Sequence, residues 1–104
     1  MRVTMTTNGT YGGPNGAFYP TDPGNHWQEQ AWHLYLSGTF NGASVQVQYS
    51  PDPDYVTPAN ARWFAPISLL QTAGGDTWFR ARFRGLEFVL TNAGTATSIV
   101  GEIV

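Results

Sequence analysis

Two histidines and two nearby carboxylates supply the donor types that most often bind metal ions. His26 and His33 are the histidines of the chain, and Asp22 and Glu29 lie close to them in sequence. Their spacing matches none of the established zinc-ligand patterns. His33 also alternates with apolar residues, which is typical of the polar face of a strand. The pattern therefore favours a hydrogen-bonding role for His33, and we predict no metal site.

Asp52 and Asp54 form a second carboxylate pair, within the motif Ser-Pro-Asp-Pro-Asp at 50–54. A calcium loop of the EF-hand type would need further oxygen ligands and a glycine, which this spacing does not provide. Proline presets φ at a turn, and Asp and Ser side chains accept hydrogen bonds from nearby backbone amides. We therefore interpret the motif as a corner in which Asp52 caps a turn. The longer loop that follows would lead to a strand containing Trp63 and reach a neighbouring subunit.

The motifs of nucleophilic and nucleotide-dependent enzymes are missing from the sequence. It contains no Gly-x-Ser-x-Gly elbow and no phosphate-binding glycine loop ending in Gly-Lys-Thr. Cysteine is absent, which excludes thiol chemistry, disulfides and cysteine-based zinc sites. We predict a protein that is not an enzyme and that uses no cofactor.

The most suggestive charged feature is a row of arginines, Arg80, Arg82 and Arg84. Alternate residues of a strand point to the same face, so the three guanidinium groups would lie on one side of a strand. Two interpretations remain open. The arginines can pair with acidic side chains on neighbouring strands, or they can meet an acidic partner surface, since arginine is favoured in interfaces.

The composition indicates one aromatic, weakly charged domain. The chain has 104 residues, of which 12% are charged and 14% are aromatic, and its net charge is −2. Nucleic-acid binders are normally basic, so a nucleic-acid partner is not expected. No apolar run approaches the roughly 18 residues of a membrane helix, and the first residues do not resemble a signal peptide. We expect no membrane association, and we expect the protein to assemble in a reducing cytoplasm.

Period-2 alternation dominates and predicts an all-β fold, a single antiparallel β-sandwich spanning 1–104. The clearest case is 31–49, where Asn41-Gly42 separates two alternating runs and predicts a hairpin, because both residues tolerate positive φ. Trp63 and Phe83 are predicted to be buried. The strands are expected near 3–5, 31–40, 45–49, 63–69, 77–84, 86–90 and 99–104.

Residues 8–27 differ from the rest of the chain because they combine glycines and prolines with aromatic residues. A stretch this long without regular structure is uncommon in a small domain. We interpret it as a long N-terminal arm that docks on another surface, or as a loop folded over its own sandwich. The candidate interface residues are Tyr11, Phe18, Tyr19, Trp27, Arg80, Arg82 and Arg84.

The order of several short motifs resembles small structural proteins of tailed bacteriophages. The matching stretches are "SGTFNGASVQVQYSPD", "RWFAP" and "RARFRGLEFVLTNAGTATSIVGEIV", which together fall within 37–104. The chain departs from the pattern at "PDYVTPANAR", which replaces a shorter glycine-rich turn, and at Glu87, where arginine is usual. The matching residues are Gly38, Phe40, Gly42, Ala43, Ser50, Pro51, Asp52, Trp63, Phe83, Asn92, Gly94, Thr97 and Ser98.

The resemblance implies a virion protein with a jelly-roll-like β-sandwich. Its first expectation is a capsid decoration (cement) protein that binds the major capsid protein on the capsid surface as a dimer or trimer, assembled in the bacterial cytoplasm. An alternative is a tail or head-fibre module that binds host-surface glycans through exposed aromatic residues. A non-viral carbohydrate-binding module is a further alternative.

Overall fold

The described residues form eight strands in two antiparallel sheets. The computed structural model describes residues 2–12, 30–51, 60, 62–81, 83 and 85–103. One four-stranded sheet has the order β1-β8-β3-β6, and the other has the order β2-β7-β4-β5. The strands are β1 Arg2–Met5, β2 Gly9–Gly12, β3 Gln30–Thr39, β4 Ser44–Ser50, β5 Leu70–Gln71, β6 Gly75–Ala81, β7 Gly85–Thr91 and β8 Ser98–Ile103. This arrangement confirms the all-β, two-sheet, sandwich-like prediction.

Alternation along the strands fills one apolar core between the two sheets. In β4, Val45 and Val47 are buried, while Gln46 and Gln48 point to the outer face and are half-buried. Because successive side chains of a strand point to opposite faces, each strand contributes every second residue to the core. The buried apolar side chains come from both sheets: Met5, Leu34, Leu36, Ala43, Val45, Val47, Leu69, Ala81, Phe83, Leu86, Phe88, Leu90, Ile99 and Ile103.

The predicted Asn41-Gly42 hairpin is wrong, although the turn itself forms. Asn41 has φ 50° and Gly42 has φ 85°, and the Ala43 N–H donates to the Phe40 carbonyl oxygen at 3.0 Å. The strands on either side do not pair, because β3 belongs to the first sheet and β4 to the second. The tight turn therefore redirects the chain across the core instead of folding it back on itself.

Short connections between the sheets gather at one end of the molecule. Met5 pairs with Ile99 and Thr39 pairs with Ser98, so β1 and β3 both end where β8 begins. Ser44 pairs with Thr91, so β4 begins where β7 ends. The connections at 6–8, 40–43 and 92–97 therefore lie together, and 72–74 joins them because β5 ends opposite the start of β4.

The predicted arm at 8–27 is partly corrected. Gly9–Gly12 form β2, which pairs antiparallel with β7 from Gly9 opposite Leu90 to Gly12 opposite Glu87. The first part of the predicted arm is therefore a strand of the second sheet, and it extends an edge that would otherwise expose β7. Residues 13–29, and with them Phe18, Tyr19 and Trp27, lie outside the described residues.

The predicted strand at 63–69 is also wrong. Phe64 forms an isolated bridge with Tyr49, and a 3-10 turn follows at Ile67–Leu69, closed by a hydrogen bond from the Leu69 N–H to the Pro66 carbonyl oxygen. Proline lacks the N–H that a strand ladder needs, so Pro66 interrupts the pairing. Only Leu70–Gln71 pair with β4.

Trp63 and Phe83, the two aromatic residues predicted to be buried, differ in their burial. Phe83 is 2% exposed and lies 4.8 Å from Trp32 between ring centroids, which confirms the prediction for Phe83. Trp63 is only half-buried, because the segment around it crosses the edge of the second sheet and does not enter the core as a strand. Asp52 and Asp54 lie outside the described residues, so the proposed cap remains a prediction.

Candidate interaction surface

The outer face of the first sheet carries an exposed aromatic cluster. Because β3 and β6 are adjacent and in register, His33 pairs with Trp78 and Tyr35 pairs with Asp76. Residues directly opposite each other on paired strands point to the same face, so these side chains meet on the solvent side of the sheet. Trp78 is 65% exposed and Tyr35 is 42% exposed.

His33 is the centre of this cluster and contacts each of its neighbours. Its ring stacks on the Trp78 indole with centroids 4.1 Å apart and an interplanar angle of 15°, and it lies 3.9 Å from the Tyr35 ring. Its Nε2 lies 2.8 Å from Oδ2 of Asp76. These contacts fix the imidazole on three sides, and they hold the large Trp78 side chain at the surface instead of letting it collapse onto the sheet. We call His33, Tyr35, Asp76 and Trp78 the aromatic face.

Charged residues border the aromatic face. Arg2 pairs with Glu102, and Glu102 pairs with Tyr35, so a row of side chains runs across the sheet from β1 to β6. Arg80 is exposed at the other end of β6. Tyr35, Asp76 and Glu102 also line an open depression of about 640 Å³. A large aromatic centre with a charged border has the composition that protein interfaces favour.

The outer face of the second sheet differs because its central carboxylate is covered. Glu87 of β7 is 5% exposed, and the Gln48 side-chain amide on β4 donates a hydrogen bond to it. Burial raises the pKa of the Glu87 carboxyl, because the charged form loses solvation, while the Gln48 hydrogen bond acts in the opposite direction. This carboxylate is held within the fold, and it is not exposed to a ligand.

Among the interface residues predicted from sequence, Tyr11 and Arg80 fall in the described part of the chain. Tyr11 is in β2, where it packs against the core, and its hydroxyl donates to the Thr7 carbonyl oxygen at 2.6 Å. Hydrogen bonding to the Thr7 side chain lowers the pKa of Tyr11. Tyr11 therefore tethers its own chain, and its role as an arm residue is not supported by this position.

The predicted strand at 77–84 ends early, and the arginine row predicted on it is described only at Arg80. Arg80 lies in β6, but β6 ends at Ala81 and β7 begins at Gly85. Phe83 lies in neither strand. Arg82 and Arg84 lie outside the described residues.

Trp78 was not among the interface residues predicted from sequence, although a signal was present. Trp78 has the same parity as Arg80, and the strand pattern places that parity on the polar face. Alternation predicts that His33 lies on the polar face of its strand, and the structure places it there beside Trp78. The sequence does not predict that β3 and β6 are adjacent, and this adjacency brings the two polar faces together.

The described residues contain no group of three or more histidine and acidic side chains placed to hold a metal ion. His26, Asp22 and Glu29 lie outside that part of the chain. Within the same part, no helix has the length and apolar character required to span a bilayer. Comparisons with protein-family models, with curated proteins and with solved structures give no match to this chain.

Proposed function

We propose that the chain is a non-enzymatic structural protein of a bacteriophage virion, and that it decorates the assembled capsid through the aromatic face. The observation that carries the proposal is the exposure of Trp78 and Tyr35 side by side on a flat sheet face with a charged border. Contiguous exposed apolar surface of this kind is typical of interaction sites in small proteins. Tryptophan, tyrosine and arginine are also the residues most enriched among those that dominate binding energy.

The strand order supports a jelly roll as the finer description of the fold. The orders β1-β8-β3-β6 and β2-β7-β4-β5 are those obtained when an eight-stranded antiparallel ribbon wraps into two sheets. Jelly rolls of two Greek keys occur in viral capsid and lectin domains. Since the same architecture serves unrelated functions, this order is compatible with the proposal but does not select it.

Stabilisation of a capsid would follow from mass action. A protein that binds only the assembled shell lowers the free energy of that state relative to free subunits. Many copies acting on neighbouring capsid subunits do not each need high affinity, because linked contacts reinforce one another. The major capsid protein is the partner in this proposal, and the virion surface is the location.

Co-sedimentation with undecorated capsid shells, assembled from the major capsid protein encoded in the same genome, tests the proposal. The Trp78→Ala/Tyr35→Ala variant should lose most of its shell binding while its circular dichroism spectrum remains that of the parent. Phe64→Ala is the matched control, because Phe64 is an exposed aromatic residue, 51% exposed, on the other sheet. Binding of the double variant at parental strength would refute the use of the aromatic face.

The arm residues form a separate branch of the same experiment. Phe18, Tyr19 and Trp27 were selected from sequence as anchors for a partner surface. Replacing the three with serine tests them without deleting β2, which the original boundary of the arm would have removed. If this variant loses shell binding while the aromatic-face variant retains it, the attachment site moves to the arm.

Glycan binding by a tail or head-fibre module is a second candidate, and it is favoured by the depression beside Tyr35. Carboxylates of Asp76 and Glu102 line it and can accept hydrogen bonds from sugar hydroxyls, while an adjacent aromatic face can stack on a sugar ring. Titration with oligosaccharides released from the host envelope, followed by tryptophan fluorescence, tests this function. Saturable quenching that Glu102→Gln weakens, together with no shell binding, would favour the glycan function over decoration.

A further inference from the structure

Strand β6 lies at the edge of the first sheet. With seven residues, it is a long edge strand for such a small domain. In the described part of the chain, β3 is the strand that pairs with β6, and the sheet order places β6 last. Edge strands present backbone groups that can template pairing with another strand, and proteins commonly block them with proline, lysine or a bulge. The sequence of β6, Gly-Asp-Thr-Trp-Phe-Arg-Ala, contains neither proline nor lysine.

The sequence of β6 is complementary to itself in the antiparallel direction. When the strand pairs with a second copy so that all seven residues overlap, Trp78 lies opposite Trp78 of the copy. In this register Asp76 of each chain lies directly opposite Arg80 of the other. The register also keeps the outward residues of both chains on the same side of the joined sheet, because positions 76, 78 and 80 share one parity. Opposite charges and aromatic pairs facing each other across strands are stabilising.

The ring stack on the aromatic face would continue through this contact. His33 already covers one side of the Trp78 indole, at 4.1 Å and nearly parallel. Facing side chains of paired strands are separated by about 4.5–5.5 Å, which is also a stacking distance for aromatic rings. The second copy would thus add its own Trp78 and His33, giving a ladder of four rings across the two-fold axis.

Asp76 can serve both its own histidine and the arginine of a second copy. Its Oδ2 atom contacts His33, and a carboxylate offers further acceptor positions on two oxygens. The side chain is 61% exposed, so a guanidinium group can reach it. In this arrangement the carboxylate would lie between an imidazole and a guanidinium.

Exposed apolar residues extend the same side of the molecule. Residues 72–74 connect β5 directly to β6, so the edges of the two sheets lie above one another. Leu70 in β5 is 38% exposed and Ile67 just before it is 80% exposed. An interface centred on β6 would have these side chains along its border, where they would add buried apolar area.

We propose that two copies of this chain pair through β6 about a two-fold axis at Trp78, joining their first sheets into one eight-stranded sheet. Such an interface is isologous, because the same surface meets itself. It places two aromatic faces on one side of the joined sheet. The inference goes beyond shell binding, since the pair would form in solution without capsid.

Measurement of molar mass by light scattering over a range of protein concentrations is the first test. The dimer should appear at twice the 11.4 kDa chain mass, and a monomer at every concentration would overturn the proposal. That result would leave shell binding by the monomer untouched, so the two proposals fail separately.

Charge reversal tests the register itself. Asp76→Arg gives a chain with arginine at both positions, and Arg80→Asp gives a chain with aspartate at both. Each variant alone would place like charges opposite each other at both contacts. We expect its dimer dissociation constant to rise by about tenfold or more, because both contacts change sign.

Mixing the two variants should restore the pair. In a mixed dimer, both arginines of one chain face both aspartates of the other, so the heterodimer is expected to form at near-parental affinity while each component remains monomeric. The Asp76→Arg/Arg80→Asp chain should likewise recover self-association. Circular dichroism of each single variant checks that it is folded, so each variant is a control for the other. Failure of the mixture to associate would then reject this register.

Discussion

The Thr97 hydroxyl donates a 2.9 Å hydrogen bond to the backbone carbonyl oxygen of Phe40, joining two connections that cross between the sheets. The Thr97 hydroxyl oxygen in turn accepts a hydrogen bond from the Gly94 N–H at 2.9 Å. Thr97 is buried, so water cannot easily replace these contacts. One side chain therefore fixes the turn before β4 against the loop before β8.

Replacement of Thr97 by valine should lower the free energy of unfolding by about 1–3 kcal/mol. Valine keeps the shape but leaves the half-buried Gly94 N–H without its acceptor and removes the hydroxyl that binds the Phe40 carbonyl oxygen. Leaving such polar groups without a partner costs roughly this amount. Urea denaturation followed by circular dichroism measures the change. Thr97→Ser keeps the hydroxyl and should lose less stability than the valine variant. Equal midpoints for the valine variant and the parent would show that the hydroxyl does not hold this corner.

Gly38→Ala should be far more disruptive than Gly42→Ala, although both glycines have positive φ. A Cβ on Gly38, at φ 109°, would lie 2.2 Å from the Ser98 carbonyl oxygen, whereas a Cβ on Gly42 would meet nothing within 4 Å. The Gly42 variant should lose about 1–2 kcal/mol through its left-handed backbone alone. The Gly38 variant must also displace β8, so we expect little folded protein. Similar thermal midpoints for the two variants would contradict this account of the β3–β8 contact.

The pairing of these strands shows which parts of the fold the sequence can specify locally. Asn41-Gly42 correctly indicated a turn with positive φ, because that preference depends on two residues alone. The partner of β3 depends on contacts with β6 and β8, which are distant in sequence. Dipeptide chemistry cannot distinguish a hairpin from a crossover with the same turn, and the hairpin prediction failed for that reason.

The residues that carried the resemblance largely explain the fold and not the candidate interaction surface. Gly38, Phe40, Gly94, Thr97 and Ser98 meet at the end where the chain crosses between the sheets. Their types are dictated by close backbone approach and by one buried hydroxyl. The aromatic face lies on another part of the molecule, and alternation identified His33 as outward-facing without showing which side chains are its neighbours.

Glu87→Gln should remove a pH-dependent loss of stability. The pKa of Glu87 is raised by burial above its unfolded value of about 4.3, so the native state binds the proton more tightly than the unfolded state. This contribution to stability is fully present below the unfolded pKa and is lost as the pH rises through the native pKa. Glutamine can still accept a hydrogen bond from Gln48 but carries no charge.

Paired urea denaturation curves for the parent and Glu87→Gln, from acidic to neutral pH, isolate the contribution of the Glu87 carboxyl to stability. The glutamine variant should gain stability relative to the parent as the pH rises, and the difference should level off above the native pKa of Glu87. Glu102→Gln on β8 is the control for removal of a half-buried carboxylate. A difference between Glu87→Gln and the parent that does not vary with pH would show that this carboxyl has the same pKa in both states.

Phe83→Ala should cost about 3–5 kcal/mol of unfolding free energy, the usual range for a buried phenylalanine. Phe83 is 2% exposed and packs between Trp32 and Tyr49, at centroid distances of 4.8 and 6.3 Å. These rings come from different sheets, so the cavity would open between them. Phe83→Leu should recover most of the loss, since it refills much of the space. Chemical denaturation of the two variants checks this order.

Trp78→Ala should have little effect on stability, despite removing the largest side chain type in proteins. The indole is 65% exposed, and its stacking partner His33 is also held by Asp76 at 2.8 Å. An exposed aromatic pair contributes about 0.5–1.5 kcal/mol beyond its buried area, and little of the indole is buried, so the loss for the monomer should be well below that of Phe83→Ala. Thermal denaturation at low protein concentration, where self-association does not contribute, measures it. A loss as large as that of Phe83→Ala would mean that Trp78 supports the fold. If the loss of stability is small while shell binding and self-association are weakened, the Trp78 side chain serves recognition. Folding alone would then not explain a large exposed tryptophan at this position.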